Sequence, residues 1–212
     1  LASFVGSSAY AWFTFASSLA LLPVALFGTS LAKASLPALS TLQAHQEKES
    51  FQKVFLSSFN QILFLTIPAS IFLSVLRIPA VRLTFGAARF TWESTVETGL
   101  ALSAYSFSVF AQAINLLLAR AFYALYRTKT AVKVSVFCLL INIFLGYLLI
   151  MIFHLPIWGL AFSFSLSTIL QLVILLYLLD KELGGFIRKN VELFLASFVG
   201  SSAYAWFTFA SS

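Results

Sequence analysis

The chain has 212 residues and a formal net charge of +6; 60% of its residues are hydrophobic and only 9% are charged. A soluble globular domain carries about 25% charged residues, so the composition excludes a water-soluble fold and, with it, a basic nucleic-acid-binding domain. In a membrane protein, lysines and arginines in the loops instead set the orientation of the helices. We therefore expect membrane lipids, and no nucleic acid, among the partners of the chain.

Five apolar stretches, and the beginning of a sixth, follow one another along the sequence. Each is long enough to cross a hydrocarbon core of about 30 Å as a helix of about 20 residues. A transmembrane barrel would show alternating segments of about ten residues, which this sequence lacks. The sequence predicts an all-α, polytopic membrane bundle of about five to six helices. The predicted spans cover about 9–42, 51–76, 96–119, 132–153 and 157–179, and the sixth begins near Val191.

Local signals refine two of these spans. The first contains Pro23 and Pro37 and is too long for one straight crossing, so it predicts a kinked helix or a helix with an interfacial extension. At the head of the third, Ser94 followed by Glu97 has the spacing of a capping box, with Gly86 as a turn residue before it.

The basic residues are unevenly distributed among the loops. Loops 43–53, 120–133 and 180–190 hold most of the loop lysines and arginines, while loops 77–95 and 154–156 hold few. By the positive-inside rule the first three are cytoplasmic, and an odd number of crossings agrees with this bias. In the densest cluster, Arg120–Lys133, the later cations are interpreted as a cytoplasmic connector that fixes topology.

The titratable residues do not form a coupling site or a metal site in the predicted spans. An intramembrane carboxylate is the usual device for ion coupling, yet every acid lies in a loop or in the first turns of a span. The two histidines, His45 and His154, fall on opposite sides of the membrane, and Cys138 has no second cysteine for an intrachain disulfide. The acids are Glu47, Glu49, Glu93, Glu97, Asp180, Glu182 and Glu192.

Catalytic patterns are also missing from the sequence. No serine shares a predicted depth with a histidine or an acid, as a nucleophile and its base must. No glycine-rich phosphate loop is present. We therefore predict that the protein is not an enzyme and needs neither a metal nor another cofactor.

The polar residues inside the spans have two possible roles. Gln112 and Asn115 are three residues apart, so they share a helix face that Arg120 roughly continues toward the cytoplasm. Such residues form hydrogen bonds between helices, or they form a polar wall for a substrate headgroup. Lys33, well inside the first span, either snorkels to the boundary near Pro37 or faces a hydrated cavity. Further polar residues in the spans are Asn60, Gln61, Asn142 and Gln171.

An 18-residue segment occurs twice. LASFVGSSAYAWFTFASS at positions 1–18 recurs letter for letter at 195–212. An old structural duplication preserves pattern rather than every side chain, so we interpret 195–212 as an artefact of a sequence assembly closed on itself; a recent local duplication is the alternative. Residues 1–194 are then a fragment of a longer membrane bundle.

Three segments carry a resemblance to a known family. RAFYALYRTKTAVK at 120–133, between AYSFSVF and INIFLGYLLI, resembles the R-x-F-Y-A-L…T-x-T-P-V-K segment of the MurJ/MviN family of lipid II flippases. LPVALFGTSLAKASLPALS at 22–40 is similar to a helix of that family with an LP…LFG…LP-x-LS frame, and VRLTFGAARFTWES at 81–94 is similar to its outer loop. The resemblance covers roughly residues 10–186.

The resemblance implies a fold and a cargo. Members of the family have about fourteen helices in two pseudo-symmetric halves, and the match puts this chain in the carboxy-terminal half, one lobe of a two-lobed flippase. It implies that an undecaprenyl-pyrophosphate-linked peptidoglycan precursor crosses the bacterial inner membrane by alternating access. A cationic cavity would hold the pyrophosphate. The missing amino-terminal lobe of the same chain is the implied partner.

Two positions depart from the family pattern. Members commonly carry an arginine a few residues before the LP step, where this chain has Ser18, and Ala131 replaces the proline of the T-P-V-K ending. The first departure leaves the cargo open or moves anion binding to the missing half, and the second affects how sharply the fourth span starts. The residues predicted for the substrate path are Ser18, Lys33, Gln112, Asn115 and Arg120.

Two alternatives to a lipid II flippase stay open at this point. One is a polysaccharide or multidrug exporter of the same superfamily. An embedded acid in the missing half, coupled to a cation gradient, would favour this alternative. The other is a non-transporting membrane scaffold or a degenerate paralogue, suggested by the absent arginine.

Overall fold

The computed structural model describes residues 7–85, 91–152 and 158–185. Every regular element within these ranges is helical, which confirms the predicted all-α fold. The elements are α1 (Ser7–Pro23), a π-helical segment (Val24–Thr29), α2 (Ser30–Ala44), α3 (Lys48–Val75), α4 (Arg77–Phe85), α5 (Trp92–Ser106), α6 (Val109–Ala124), α7 (Thr128–Met151) and α8 (Trp158–Glu182).

Four helical stretches in the described ranges are long and apolar enough to cross a membrane, and α5 with α6 makes a fifth if this bent pair is one span. The five complete predicted spans therefore each have a counterpart. The predicted sixth stretch from Val191, the second copy of the repeat at 195–212 and Gly86 lie outside the described residues. The four stretches are Tyr10–Ala44, Lys48–Val75, Thr128–Met151 and Trp158–Glu182.

The first span is continuous from Tyr10 to Ala44, and its backbone widens into the π-helical segment directly after Pro23. Proline has no N–H to donate to the preceding turn, so the regular hydrogen-bond ladder is interrupted there. Pro37 lies inside α2 without ending it. At about 1.5 Å per residue these 35 residues extend about 50 Å, so the span must tilt or continue beyond the hydrocarbon core.

The third predicted span is not one helix, which corrects the sequence prediction. The helices α5 and α6 are bent by 44° across Phe107 and Ser108. The hydroxyl of Ser106 donates to the carbonyl of Leu102, and both the N–H and the hydroxyl of Ser108 donate to the carbonyl of Tyr105. Serine hydroxyls that bond back to the preceding turn compete with the helical ladder and bend it.

The outer connection between α3 and α5 also differs from its prediction as a loop, because Arg77–Phe85 forms α4. The N-cap of α5 is Thr91 and not Ser94: the backbone N–H of Ser94 donates to the Thr91 hydroxyl at 3.2 Å. The capping box predicted at Ser94 and Glu97 is therefore wrong, since Thr91, in the extended conformation, already satisfies the free N–H of the first turn.

The inner connections are much shorter than predicted. Only residues 45–47 join α2 to α3, and only residues 125–127 join α6 to α7, so Arg120 is helical. Each turn has a left-handed residue, Gln46 with φ 58° or Tyr126 with φ 56°. The N–H of Glu47 donates to the carbonyl of Leu42, five residues earlier. In the second turn the N–H of Arg127 donates in the same way to the carbonyl of Phe122. Both helices thus end in Schellman motifs without glycine.

The connections in the three predicted basic loops, called the basic connections below, meet at one end of the bundle. The amide nitrogen of Gln52, in the first turns of α3, donates to the carbonyl of Leu183 just after α8, at 3.0 Å. Arg127, between α6 and α7, forms an ion pair with Glu182 at 3.1 Å. Residues 45–47, 125–127 and 183–185 therefore lie on the same side of the bundle, as the predicted spans require, and α4 lies beyond the far end of the long helix α3.

The centre of the bundle is α6, which packs on α2, α3, α8 and the π-helical segment. Tyr105, at the end of α5, lies between the rings of Phe13 and Phe164, each with its centroid 5.4 Å away. By contrast, α7 packs mainly on α8 and exposes a broad apolar face. The fully buried large side chains of α6 are Ile114, Leu117, Leu118 and Phe122.

Candidate functional site

A groove of about 480 Å³ lies between the first span, α6 and α8. We call it the carboxamide groove, because three carboxamide side chains, one from each of Gln112, Asn115 and Gln171, line it. The remaining lining residues are Leu21, Val24, Ala25, Thr29, Leu116, Phe164 and Thr168.

One close contact fixes the wall that the first span contributes to this groove. Gly28 is buried in the π-helical segment and packs directly on Ala113 of α6. A β carbon added to Gly28 would be 2.8 Å from the β carbon of Ala113. Only glycine permits this approach of the two backbones, and Ala25 and Thr29 line the same groove as Gln112 and Leu116.

Each carboxamide of the groove donates a hydrogen bond from its nitrogen, within α6 for Gln112 and to another helix for Asn115 and Gln171. The side-chain nitrogen of Gln112 donates to the hydroxyl of Ser108 at 3.0 Å, and that of Asn115 donates to the carbonyl of Thr168 at 3.1 Å. The nitrogen of Gln171 donates to the hydroxyl of Ser135 on α7 at 3.0 Å. Their carbonyl oxygens accept no hydrogen bond from any residue that the structure describes, and that of Asn115 is buried.

The lining of the groove carries no charge, but cations stand at one end. Lys33 lies four residues after Thr29, and Arg120 lies four residues after Leu116, so each is about one turn further along its helix on the same face. Both lie toward the end with the basic connections. Lys33 is exposed, while Arg120 is half-buried with its guanidinium 5.8 Å from the centroid of Tyr123.

Ser18 lies toward the opposite end of the same face. It precedes Leu21 by three residues, it is exposed, and its hydroxyl donates to the carbonyl of Thr14 in its own helix. Of the five predicted site residues, the structure thus brings Gln112 and Asn115 together in the groove. Ser18, Lys33 and Arg120 continue its faces without lining it.

Sequence analysis missed the contribution of α8. Gln171 was noted only as a polar residue in a span, and Thr168 and Thr29 were not singled out. The spacing of Thr168 and Gln171 repeats that of Gln112 and Asn115, so the same one-face argument could have found this pair.

Hydrogen bonds between helices account for several polar residues in the spans. Asn142 on α7 accepts from the hydroxyl of Ser163 at 3.1 Å, and the hydroxyl of Ser165 donates to the carbonyl of Ala104 on α5 at 2.6 Å. With Asn115 and Gln171, these contacts confirm the interhelical interpretation. Gln61 instead donates to Ser57 of its own helix.

A helical bundle with several apolar spans and a polar groove between them defines a polytopic membrane protein. Comparison with known proteins is more specific. The chain belongs to the lipid II flippase MurJ family, because the model of that family matches residues 1–211. The resemblance drawn from three sequence segments is thereby confirmed, and the chain is a protein of the bacterial inner membrane, as predicted.

Individual relatives agree with the family. The chain is 28% identical over 175 residues to the probable lipid II flippase MurJ of Vibrio cholerae, covering 82% of this chain and 33% of that protein. It is 30% identical over 188 residues to the probable lipid II flippase MurJ of Bdellovibrio bacteriovorus, covering 89% and 35%. The chain thus spans about a third of the length of these curated relatives.

A solved structure shares the fold. This structure of a lipid II flippase MurJ in an inward closed conformation aligns with a TM-score of 0.78 and 24% sequence identity. The alignment covers 95% of this chain and 41% of that one. The fold of this chain is therefore a known membrane architecture.

Proposed function

We propose that the chain is part of the carboxy-terminal lobe of a flippase that moves an undecaprenyl-pyrophosphate-linked peptidoglycan precursor to the outer leaflet by alternating access. On this proposal it is a transporter and not an enzyme. The observation that carries the proposal is the match of the lipid II flippase family over residues 1–211.

The charges around the carboxamide groove support a path for an anionic headgroup. Lys33 and Arg120 continue two walls of the groove toward the end with the basic connections. In a site of low dielectric constant, fixed cations are the partners that a pyrophosphate needs. Gln112 and Asn115 would form the polar wall beyond these cations, and Ser18 would stand at the far end of the path.

The proposal requires a second lobe. Alternating access depends on two bundles that move around a site between them. The chain spans about a third of its curated relatives, and the groove is open on the surface of the described bundle. We therefore propose that the missing amino-terminal lobe of the same chain closes the groove, that membrane lipids cover the apolar face of α7, and that residues 1–212 alone are inactive.

The test uses the full-length parent, the longer protein of which we propose this chain to be a part, in a strain depleted of its own lipid II flippase. The proposal expects the parent to restore growth and precursor export. Lys33→Glu and Arg120→Glu should each lower export strongly, because a carboxylate replaces a cation beside the anionic headgroup. Lys129→Glu is the matched control, since Lys129 is an exposed cation in the first turn of α7. Equal export by all three variants would argue against the assigned path.

One observation favours a second function. Ser18 stands where the family resemblance implies an arginine, so the cargo stays open, and a polysaccharide or multidrug exporter of the same superfamily is the alternative. That alternative expects the parent not to rescue the depleted strain but to export a polysaccharide or a drug. A parent that does neither would instead fit a scaffold or degenerate paralogue.

A further inference from the structure

We propose that the carboxamide groove binds the uncharged part of the cargo headgroup, its sugar hydroxyls and amide N–H groups, and not its pyrophosphate. This inference rests on the proposed function and assigns a chemical task to one part of the path. It makes Gln112, Asn115 and Gln171 determinants of specificity for the saccharide.

The first argument is that the polar side chains lining the groove already donate hydrogen bonds to other groups of the protein. The hydroxyl of Thr29 donates to the carbonyl of Ala25, and the hydroxyl of Thr168 donates to that of Phe164 at 2.7 Å. The three carboxamides each commit one N–H to the protein. Two hydroxyl oxygens and three carbonyl oxygens remain as acceptors. The remaining donors are fewer, because each of the three amide nitrogens has only one N–H left.

The two parts of the headgroup also differ in whether they donate or accept hydrogen bonds. A pyrophosphate offers only acceptor oxygens with negative charge, which the oxygen-rich lining repels. Sugar hydroxyls and amide N–H groups donate, and they complement this lining. The groove therefore favours donors.

The second argument is the buried carbonyl oxygen of Asn115. It has no hydrogen-bond partner among the described residues, although the nitrogen of the same side chain holds Thr168. A buried polar atom without a hydrogen-bond partner is destabilising. The oxygen is covered in this conformation, so a donor on the cargo would supply the missing partner after a small shift of the lining side chains.

The third argument is the separation of charge from the groove. Its lining residues include no charged side chain, whereas Lys33 and Arg120 stand about one turn past the lining residues Thr29 and Leu116. Its volume of about 480 Å³ falls within the range of about 300–1,000 Å³ of small-molecule sites. Phe164 adds a ring against which the C–H face of a sugar can pack. The pyrophosphate then lies at the cationic end and the saccharide in the groove.

The experiment compares two probe lipids on the purified full-length parent in detergent. One is undecaprenyl pyrophosphate without a sugar, and the other is the same lipid linked to the disaccharide pentapeptide. Gln112→Met and Gln171→Met each remove the amide while keeping the length of the side chain. Each should weaken binding of the saccharide lipid about tenfold and leave binding of the bare pyrophosphate within about twofold.

Gln61→Met is the matched control. Gln61 also donates to a serine four residues earlier, Ser57, but it lies on α3 outside the groove. It should change binding of neither lipid. If a methionine variant does not purify as a monodisperse protein, Thr29→Val is used instead, because it removes an acceptor and keeps the shape of the side chain.

The outcomes separate the two proposals. Equal losses for both lipids, or no loss for the saccharide lipid, overturn the specificity inference and leave the flippase proposal standing. A parent that binds bare pyrophosphate as tightly as the saccharide lipid also overturns it. A parent that binds neither lipid overturns the proposed function, and the specificity inference with it.

Discussion

Gly28 and Ala113 pack backbone against backbone where the π-helical segment crosses α6. A β carbon at position 28 would stand 2.8 Å from the β carbon and 2.9 Å from the α carbon of Ala113, neither of which can rotate away. Gly28→Ala should therefore destabilise the full-length parent by about 1–3 kcal/mol, despite the better helix propensity of alanine. Thermal unfolding in detergent measures this.

Gly99→Ala is the control for that substitution. At Gly99 the nearest atom to an added β carbon is the terminal methyl of Ile78 at 3.0 Å, the end of a flexible side chain. The unfolding temperature should fall less than for Gly28→Ala. Similar shifts for both variants would mean that the contact with Ala113 is not what requires glycine.

Ser165→Ala should lower the unfolding temperature of the full-length parent more than Ser167→Ala does. Both serines are buried on α8, but Ser165 donates to Ala104 on α5, whereas Ser167 donates to Phe164 in its own helix. A hydrogen bond between membrane helices contributes about 0.6–2 kcal/mol. Equal unfolding temperatures would show that the bond from α8 to α5 adds nothing to stability.

The ion pair between Arg127 and Glu182 should contribute little. The two side chains are 58% and 35% exposed, and water and salt weaken a pair of this kind. Glu182→Gln should change the free energy of unfolding of the full-length parent by less than about 1 kcal/mol. Added salt should change the stability of the variant no more than that of the unsubstituted protein. A larger loss at low salt would show that the pair anchors the inner end of α8.

The orientation inferred from the charges can be tested by labelling. In a cysteine-free full-length parent, Gln46→Cys and Tyr126→Cys should react with an impermeant maleimide only after spheroplasts are permeabilised. Glu93→Cys, in the first turn of α5 at the other end, should react in intact spheroplasts. The reverse pattern would invert the assignment of the basic connections to the cytoplasm.

Sequence patterns predicted the spans well because length and hydropathy decide which segments enter a bilayer. They missed the ends of the helices, since the left-handed C-terminal positions are Gln46 and Tyr126 instead of glycine. They also missed the bend between α5 and α6, because it arises from the hydroxyls of Ser106 and Ser108, whose bonding partners are not visible in composition.

The site was predicted only in part for a similar reason. Gln112 and Asn115 share a face by their spacing, so one sequence suffices to pair them. Gln171 and Thr29 line the same groove because of how α8 and the π-helical segment pack on α6. No local sequence pattern encodes this packing. The close contact of Gly28 with Ala113 is a feature of this packing.

The hydrogen bonds of α8 have a consequence for biosynthesis. This helix supplies the partners of Ala104 on α5, Asn115 on α6 and Asn142 on α7, and all three precede it in translation. Until α8 leaves the translocon, the polar atoms of these residues lack their partners from α8. Each polar group left without a hydrogen bond in hydrocarbon costs several kcal/mol of free energy. A nascent chain that stops before α8 therefore displays unpaired polar groups within the membrane, where quality-control proteases can recognise it.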